Sequence, residues 1–339
     1  MKKIAVEEHF FTEDYLTYLR SRKEFPKREI FEDENHRKVE RDWFTPDNSF
    51  IVDPNHLNKI VNLGEGRLKD MDESGIDMQV LSLSFPGAEL FDAPEGTLMA
   101  KRTNDELYKT IKKYPKRFAG LASIAPQNPE TAATELERAV KELGFKGVMI
   151  NSHVRGEYLD DRKYRVIFQK AEELDVPIYI HPKTPSPDMI KPYLAYPELA
   201  LAMLGFAAEA GLHAMRLICS DVFDEYPDLK IILGHLGEAL PYWLWRIDNH
   251  WQRSTLAKKH RKLPSQYFKD NFYITTSGMF WQPTLQFTSS VLGADRILFA
   301  VDYPYESSRE GVKFMEAAPI PDGDKEKIFH LNAEKLLKL

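Results

Sequence analysis

Cysteine is almost absent from this chain of 339 residues, in which Cys219 is the only one. A single cysteine excludes a disulfide bond within the chain and suits a reducing compartment. Long apolar runs are also missing, since no stretch approaches the roughly 18 uninterrupted apolar residues of a membrane-spanning helix. Only Ile-Ala-Val follows the initial Met-Lys-Lys before two carboxylates, which is far short of the core of a signal peptide. We therefore expect a soluble cytoplasmic protein with no membrane partner.

Basic charge is nowhere concentrated along the chain. The formal net charge is -6, and no block of Lys and Arg or basic stripe interleaved with aromatic residues is present. This composition argues against nucleic acid as a partner. A glycine-rich phosphate-binding fingerprint does not follow the first apolar run, which weakens a dinucleotide-binding interpretation.

Eight short apolar runs, each followed by a segment of helical periodicity, are the main pattern that is present. Strands that are apolar on both faces and alternate with helices predict a parallel sheet covered by helices. Eight such units favour one α/β domain, a (β/α)8 TIM barrel over residues 1–339, over an open sheet. The predicted strands are 3–8, 78–84, 118–125, 147–152, 177–182, 230–235, 272–277 and 297–304.

Residues 12–65 interrupt this rhythm. The segment is long, polar and rich in charge, and it contains Pro26, Pro46, Pro54 and the run Asp42-Trp43-Phe44. It leaves the carboxyl end of the first strand, where the active sites of barrels lie. We interpret it as a long insertion after strand 1 that serves as a lid or substrate loop. The alternative is a surface insertion with no part in catalysis.

The first strand ends in two carboxylates and an imidazole, in the run IAVEEHFF (4–11). Because side chains alternate along a strand, Glu7 and His9 point to one face and Glu8 points to the other. Glu7 and His9 are therefore a matched pair of possible metal ligands. A strand that frays into a polar loop explains this run equally well when it is taken alone.

Three further polar side chains end later strands, namely His181, His235 and Asp302. In a closed parallel barrel all carboxyl ends of the strands lie on one rim, so these residues are expected to converge with Glu7 and His9. Carboxylates and imidazoles are the ligands of a divalent ion such as Zn²⁺ or Mn²⁺. A single histidine is more often a hydrogen-bonded core residue than a ligand, but five such residues at the ends of successive strands predict a metal site.

These motifs resemble those of the amidohydrolase superfamily, and in particular its metal-dependent aromatic acid decarboxylases, which act on γ-resorcylate, 2,3-dihydroxybenzoate, salicylate or 5-carboxyvanillate. The usual His-x-His of the first strand is here Glu7-Glu8-His9. The other matching segments cover nearly the whole chain: LGFKGVMIN (143–151), DVPIYIHP (175–182), FDEYP (223–227), IILGHLGEALPYWLWRID (231–248), ITTSG (274–278) and ADRILFAVDYPYE (294–306).

The resemblance implies functional roles for particular side chains. It makes Glu7, His9, His181 and Asp302 the metal ligands, His235 and Glu238 their catalytic neighbours, and Arg246 an anion-binding residue that in some relatives reaches the site of a neighbouring subunit. Glu238 lies three residues after His235, so it is expected either to orient the imidazole or to stabilise the first turn of the next helix. For Arg246 the partner is either substrate or an acid such as Asp248.

Two reactions fit such a site. The first is non-oxidative decarboxylation of an ortho-hydroxylated aromatic acid, in which Asp302 protonates the ring carbon and His235 either holds the carboxylate or relays charge. It requires one divalent ion, Zn²⁺ or Mn²⁺ with Mg²⁺ as a further candidate, and no organic cofactor, because the ring is the electron sink. The second is hydrolysis or hydration of a lactone or an unsaturated dicarboxylate. A barrel retained only as a binding module is a third interpretation, which the intact polar set argues against.

The predicted pocket is mostly apolar with a few polar anchors. Its candidate lining residues follow the strand ends: Phe10, Phe85, Pro86, Asn151 and Phe280. The helix at 239–251 is unusually aromatic for the outer ring of a barrel, and an exposed patch of this kind usually has a partner. We therefore expect a homodimer or homotetramer.

Overall fold

The computed structural model describes all residues from 1 to 339, and its parallel strands alternate with helices. The strands are β1 (Ile4–Phe10), β2 (Lys27–Glu32), β3 (Lys38–Thr45), β4 (Asn48–Val52), β5 (Met78–Leu83), β6 (Phe118–Gly120), β7 (Ala122–Ser123), β8 (Val148–Asn151), β9 (Ile178–His181), β10 (Ile231–Leu233), β11 (Phe272–Thr275) and β12 (Ile297–Leu298).

Helices follow the strands along the chain. They are α1 (Glu13–Ser21), α2 (Pro54–Ile60), α3 (Glu65–Ser74), α4 (Ala93–Lys113), α5 (Pro129–Lys141), α6 (Arg165–Glu173), α7 (Gly205–Cys219), α8 (Val222–Glu225), α9 (His235–Glu238), α10 (Leu240–Trp251), α11 (Pro264–Asn271), α12 (Gln282–Leu292), α13 (Ser308–Glu316), α14 (Asp322–Glu326) and α15 (Asn332–Leu337).

The parallel strands are joined in a ring. One run has the order β1-β5-β6, and the other has the order β7-β8-β9-β10-β11-β12. Only Leu121 separates β6 from β7, and its amide donates to the carbonyl of Leu81 on β5. At the other side the amide of Val6 donates to the carbonyl of Phe299, and the amide of Asp302 donates to that of Glu7. The α/β class expected from the sequence is confirmed.

All eight predicted strands occur at the predicted places, but the last one is shorter than expected. The sequence predicts a strand over 297–304, whereas only Ile297–Leu298 pairs with β11. Beyond it the amides of Val301 and Tyr303 donate to the side chain of Glu8 instead of to a strand. The segment after β12 therefore stays beside β1 through the Glu8 carboxylate and through backbone hydrogen bonds such as that from the amide of His9 to the carbonyl of Tyr303.

Residues 12–65 contain regular structure, which the sequence analysis did not anticipate. They form α1, a three-stranded antiparallel sheet of order β2-β3-β4, and α2. Arg28 on β2 and Asp42 on β3 are both buried, and the guanidinium donates two hydrogen bonds of 2.6 Å to the carboxylate. This bidentate pair joins the two strands and gives the segment a fixed shape.

The inside of the ring is filled by apolar side chains. They form a cluster of their own, separate from the larger core between the strands and the helices. Ala333 and Leu337 of α15 belong to this inner cluster, so the C-terminal helix covers one end of the ring. The polar residues of the sequence prediction lie at the opposite end, where the strands finish.

One segment, Pro197–Cys219, is long and apolar enough to cross a membrane by length and composition alone. It includes α7, on which Glu209 and His213 are fully buried and hydrogen-bonded to the side chain of Ser152. The core helix of a folded domain has the same composition, so this segment is accounted for by its packing.

Candidate metal centre

Four side chains converge at the carboxyl end of the ring. Glu7 and His9 come from β1, His181 ends β9, and Asp302 follows β12, and one ligand atom from each lies within 4.8 Å of all the others. Nε2 of His9 is 3.0 Å from Oδ1 of Asp302, and Nε2 of His181 is 3.6 Å from Oε1 of Glu7. Residues that are 295 positions apart in the sequence therefore meet as the sequence analysis predicts.

The hydrogen bonding of these groups leaves metal-ligating atoms free. Oε2 of Glu7 accepts hydrogen bonds from the hydroxyls of Tyr179, Thr275 and Ser277. Oε1 of Glu7, Nε2 of His9 and Oδ1 of Asp302 are buried and have no hydrogen-bond partner. Buried polar atoms without partners destabilise a fold unless another group satisfies them. Two carboxylate oxygens and two imidazole nitrogens fit a divalent ion such as Zn²⁺ or Mn²⁺.

Glu8 has a separate role, which the sequence analysis did not assign. Its side chain points away from the centre, and its two oxygens accept hydrogen bonds of 2.9 and 3.2 Å from the amides of Val301 and Tyr303. These amides flank Asp302, whose φ of 81° is unusual for a residue other than glycine. Glu8 thus fixes the backbone on both sides of a ligand. The alternation along β1 puts the ligands Glu7 and His9 on one face and this residue on the other.

His181 is oriented by Asn151, the last residue of β8. Nδ1 of His181 donates to Oδ1 of Asn151 over 2.9 Å, which leaves the lone pair of Nε2 directed at the cluster. Burial, followed by the neighbouring His9, lowers the pKa of His181 well below its usual value. The imidazole is therefore neutral, as a metal ligand must be. Asn151, which the sequence analysis expected to contact substrate, contacts this ligand instead.

His235 lies beside the four ligands and is not one of them. Its Nε2 is 3.6 Å from Oδ2 of Asp302 and 4.0 Å from Oε1 of Glu7, and its Nδ1 donates to Oε1 of Glu238 over 2.7 Å. Burial lowers the pKa of His235, but the carboxylates of Glu238 and Glu7 raise it by more. The resulting pKa lies well above the usual value for histidine. The two pKa shifts are opposite in direction, and they favour the neutral form of His181 and the protonated form of His235.

The backbone that carries His235 and Glu238 is strained. Residues 235–239 all have positive φ, from 50° to 85°, and only Gly237 among them is a glycine. The prediction that Glu238 begins a helix is wrong, because α9 is a single left-handed turn and the regular helix begins at Leu240. Left-handed conformation is unfavourable by about 1–2 kcal/mol for each non-glycine residue. The turn brings the Glu238 carboxylate back onto the imidazole three residues earlier.

A cavity of about 320 Å³ opens above the centre. His181, His235 and Asp302 form its floor, and Glu238 and Glu306 also line it. Most of the wall is apolar, and no Lys or Arg of the chain contributes to it. The apolar wall includes Phe44, Phe50, Phe85, Met203, Phe206 and Met279.

Known proteins share the sequence pattern and the fold of this chain. Residues 54–339 match the amidohydrolase family. The chain belongs to that family. It is 37% identical to the γ-resorcylate decarboxylase of Polaromonas sp. (strain JS666), over 99% of this chain and 98% of the relative.

Two solved structures superpose closely on this amidohydrolase. The 5-carboxyvanillate decarboxylase of Sphingomonas paucimobilis has a TM-score of 0.88 and 34% identity, over 100% of this chain and 99% of that chain. The dihydroxybenzoic acid decarboxylase of Polaromonas sp. JS666, solved with bound manganese and the inhibitor 2-nitroresorcinol, has a TM-score of 0.86 and 37% identity, over 100% of this chain and 97% of that one. The predicted resemblance to aromatic acid decarboxylases is confirmed.

Of the other residues predicted to line the pocket, only one contacts the cavity. Phe85 lines the cavity, whereas Phe10 is 1% exposed and belongs to the main core. Pro86 is buried, and its carbonyl accepts a hydrogen bond from the hydroxyl of Tyr15. Phe280 packs on Phe314, outside the cavity. Proximity in sequence to a strand end did not predict which face of the chain turns toward the cavity.

Arg246 is exposed on α10 and does not line the cavity of its own chain. The aromatic residues that the sequence analysis missed, Phe44 and Phe50, come from the antiparallel sheet of β2, β3 and β4. The Trp43-Phe44 pair in an otherwise polar segment was the available signal. Only the fold shows that Phe44 turns inward, where its ring centroid lies 4.3 Å from that of Phe85.

Proposed function

We propose that this member of the amidohydrolase family is a carboxy-lyase. It removes CO₂ from an ortho-hydroxylated aromatic acid of the dihydroxybenzoate type in a metal-dependent reaction. The observation that carries the proposal is the buried cluster of Glu7, His9, His181 and Asp302 beneath a cavity with an apolar wall. Full-length similarity to decarboxylases of γ-resorcylate and 5-carboxyvanillate supports the same reaction.

The four clustered side chains would hold one divalent ion. When bound, such an ion supplies a positive charge that orients the carboxylate and ortho hydroxyl of the substrate and stabilises the negative charge that develops. We propose Mn²⁺ or Zn²⁺, since a relative of 37% identity was solved with manganese. Mg²⁺ is the further candidate. No organic cofactor is required, because the aromatic ring accepts the electrons of the breaking bond.

Asp302 is proposed to move the proton. Burial raises its pKa, but the nearby imidazoles of His235 and His9 lower it by more, so the net shift is below the usual value. The free side chain is therefore a carboxylate, and it needs a proton from substrate before it acts as an acid. The ortho hydroxyl is the donor that the substrate itself brings. Asp302 then protonates the ring carbon that bears the carboxylate, and loss of CO₂ restores aromaticity.

His235 and the cavity wall bind and orient the substrate. The cationic imidazole of His235 faces the cavity and attracts the substrate carboxylate, while Glu238 fixes its ring. The aromatic side chains around Phe85 exclude water and stack with the ring. Exclusion of water strengthens each electrostatic contact in the cavity.

The assembly is proposed to be a homodimer or homotetramer, in which Arg246 of one subunit completes the site of another. The cavity lacks an arginine or lysine of its own, although an anionic substrate would benefit from one. Beside Arg246 on α10, Tyr242 and Trp245 are 75% and 78% exposed. Apolar surface of this size favours contact with a second copy. Light scattering at micromolar concentration tests the assembly, and a monomer would contradict it.

Residues 12–65 are proposed to be an insertion into a single eight-stranded barrel that covers the site as a lid. Phe44 and Phe50 of this segment support the idea because they line the cavity. We also propose that the enzyme acts in the cytoplasm, in agreement with its single cysteine.

The test is an assay of CO₂ release. Metal-free enzyme is loaded with Mn²⁺ or Zn²⁺ and incubated with 2,6-dihydroxybenzoate, 2,3-dihydroxybenzoate, salicylate and 5-carboxyvanillate, while ring absorbance is followed. Release from at least one acid that a chelator abolishes is expected. The matched control is 3-hydroxybenzoate, whose hydroxyl is not ortho to the carboxylate. No release from any acid by metal-loaded enzyme would overturn the proposal and favour hydrolysis or hydration of a non-aromatic acid.

A further inference from the structure

Two charged side chains with no place in the reaction are buried behind His181. Lys183 is fully buried and Glu89 is 3% exposed, and Nζ of Lys183 lies 3.9 Å from Oε1 of Glu89. Nζ also donates to the carbonyl of His153. Buried ions destabilise a fold unless they are well paired. Replacing a buried ion pair by two apolar residues of similar size often leaves the stability of a protein unchanged or increases it. Stability alone therefore does not account for the buried Lys183–Glu89 pair.

Glu89 is connected to the metal ligand through one amide. Nδ2 of Asn151 donates to Oε2 of Glu89 over 3.4 Å, and Oδ1 of the same amide accepts from Nδ1 of His181 over 2.9 Å. Lys183, Glu89, Asn151 and His181 thus form a continuous chain of contacts. Its far end is an ammonium group, which only donates, and its near end is an imidazole with two possible tautomers.

The polarity of this chain determines the tautomer. A carboxylate only accepts hydrogen bonds, so Glu89 requires the NH₂ group of Asn151 to face it. The carbonyl of the amide then faces His181, and Nδ1 of the imidazole must carry the proton. Nε2 consequently keeps its lone pair toward Glu7. An amide turned the other way would favour the Nε2–H tautomer, which does not ligate a metal through that atom.

We propose that Glu89 and Lys183 are positioning residues that fix the tautomer of His181 through Asn151. This inference rests on the metal site of the proposed function, and it concerns the formation of that site and not the reaction. Lys183 contributes by keeping a carboxylate beside the amide, and Glu89 contributes by accepting from it. Neither residue lines the cavity.

Gly87 provides independent support. A Cβ at this position would lie 2.4 Å from Oε2 of Glu89 and 2.5 Å from Nδ2 of Asn151, the two atoms that form the middle contact. The φ of Gly87 is -97°, which any residue adopts. Glycine is therefore required here by space and not by conformation, and the space is that of the Glu89–Asn151 contact.

The first experiment measures metal affinity and the tautomer in Glu89→Gln. Glutamine both donates and accepts, so it no longer dictates the orientation of Asn151. We expect roughly 10–100-fold weaker Mn²⁺ binding, measured by competition with a fluorescent chelator. In ¹⁵N NMR of the metal-free protein, the His181 ring should change from one tautomer to a mixture. Unchanged affinity together with an unchanged ring would overturn the proposal.

Two further variants separate positioning from folding. Glu209→Gln is the matched control, because Glu209 is an equally buried acid that accepts from Ser152 and Tyr158 and touches no ligand. It should lower the Tm without changing Mn²⁺ affinity. In the double variant Glu89→Gln with Asn151→Asp, the new carboxylate only accepts, so it should restore the Nδ1–H tautomer and most of the affinity.

Equal losses of Mn²⁺ affinity in Glu89→Gln and Glu209→Gln, or no recovery in the double variant, would show that the contacts only support the fold. These measurements need no substrate. If no CO₂ is released but the Mn²⁺ affinities and the tautomer change as expected, the proposed reaction is wrong and the positioning role of Glu89 is supported. If CO₂ is released but the Mn²⁺ affinities and the tautomer do not change as expected, the reaction is supported and the positioning role is wrong.

Discussion

The ligand cluster and the cavity wall of this protein are built in different ways. The cluster comes from the ends of β1, β9 and β12, and its residues are held by hydrogen bonds to polar side chains, such as those of Tyr179, Thr275 and Ser277 to Glu7 and that of Asn151 to His181. The wall comes from an antiparallel sheet and from loops, and its contacts are mainly between apolar side chains.

Because of this difference, we expect the ligand cluster to carry out the reaction and the cavity wall to select the substrate. Side chains at strand ends are positioned by a ring of backbone hydrogen bonds, so their mutual distances are set within narrow limits. The side chains of the wall can change without disturbing the ring, because Phe44 and Phe50 belong to a sheet that does not pair with it. We therefore expect substitutions in the cluster to reduce kcat and substitutions in the wall to change KM.

Asp302→Asn should have the largest effect. The amide neither accepts the substrate proton nor delivers it, so kcat should fall by at least about 100-fold. Asparagine tolerates positive φ, and the fold should therefore persist. CO₂ release is the measurement, and Asp322→Asn, at a side chain that is 93% exposed, is the control. A variant that kept a tenth of the wild-type rate would remove Asp302 from proton transfer.

Glu8→Gln should have the next largest effect, although Glu8 does not face the site. Glutamine has the same size, but its NH₂ group opposes a backbone N–H of Val301 or Tyr303. The loss of one such bond to a buried donor destabilises by about 1–3 kcal/mol, and the displaced Asp302 should lower kcat roughly 10-fold or more. If the Tm falls while kcat stays at the wild-type value, Glu8 serves only the fold.

Arg246→Ala should raise KM for an aromatic acid by roughly 10-fold and change kcat less, because it removes a charge that binds the anion in both ground and transition states. Arg253→Ala, on the chain just after α10, is the control. Identical kinetics of wild type and Arg246→Ala would exclude Arg246 from the site.

Phe50→Ala should have the smallest effect, a rise of KM of a few-fold with kcat nearly retained. The change opens the wall and removes apolar contact with the ring of the substrate. Phe31→Ala lies on the same antiparallel sheet but outside the cavity, and it should leave KM unchanged. A large fall in kcat for Phe50→Ala would contradict the separation of cluster and wall.

The sequence by itself determined the strands and the ligands. Apolar runs at regular intervals predict the parallel strands. The site residues are recognisable because Glu7, His9, His181, His235 and Asp302 all stand at the ends of predicted strands, although each of them taken alone has a simpler explanation. Alternation along β1 also assigns Glu7 and His9 to one face, since that rule is local.

Only the tertiary structure decided the environment of those ligands. The pairing of Glu8 with amides nearly 300 residues away, the contact of Asn151 with His181, and the left-handed turn at 235–239 depend on which distant segments become neighbours. The same holds for the cavity wall, where Phe10 and Phe280 turned away and Phe44 and Phe50 turned in. Local rules fix the direction of a side chain relative to its own strand, but long-range packing determines what that side chain meets.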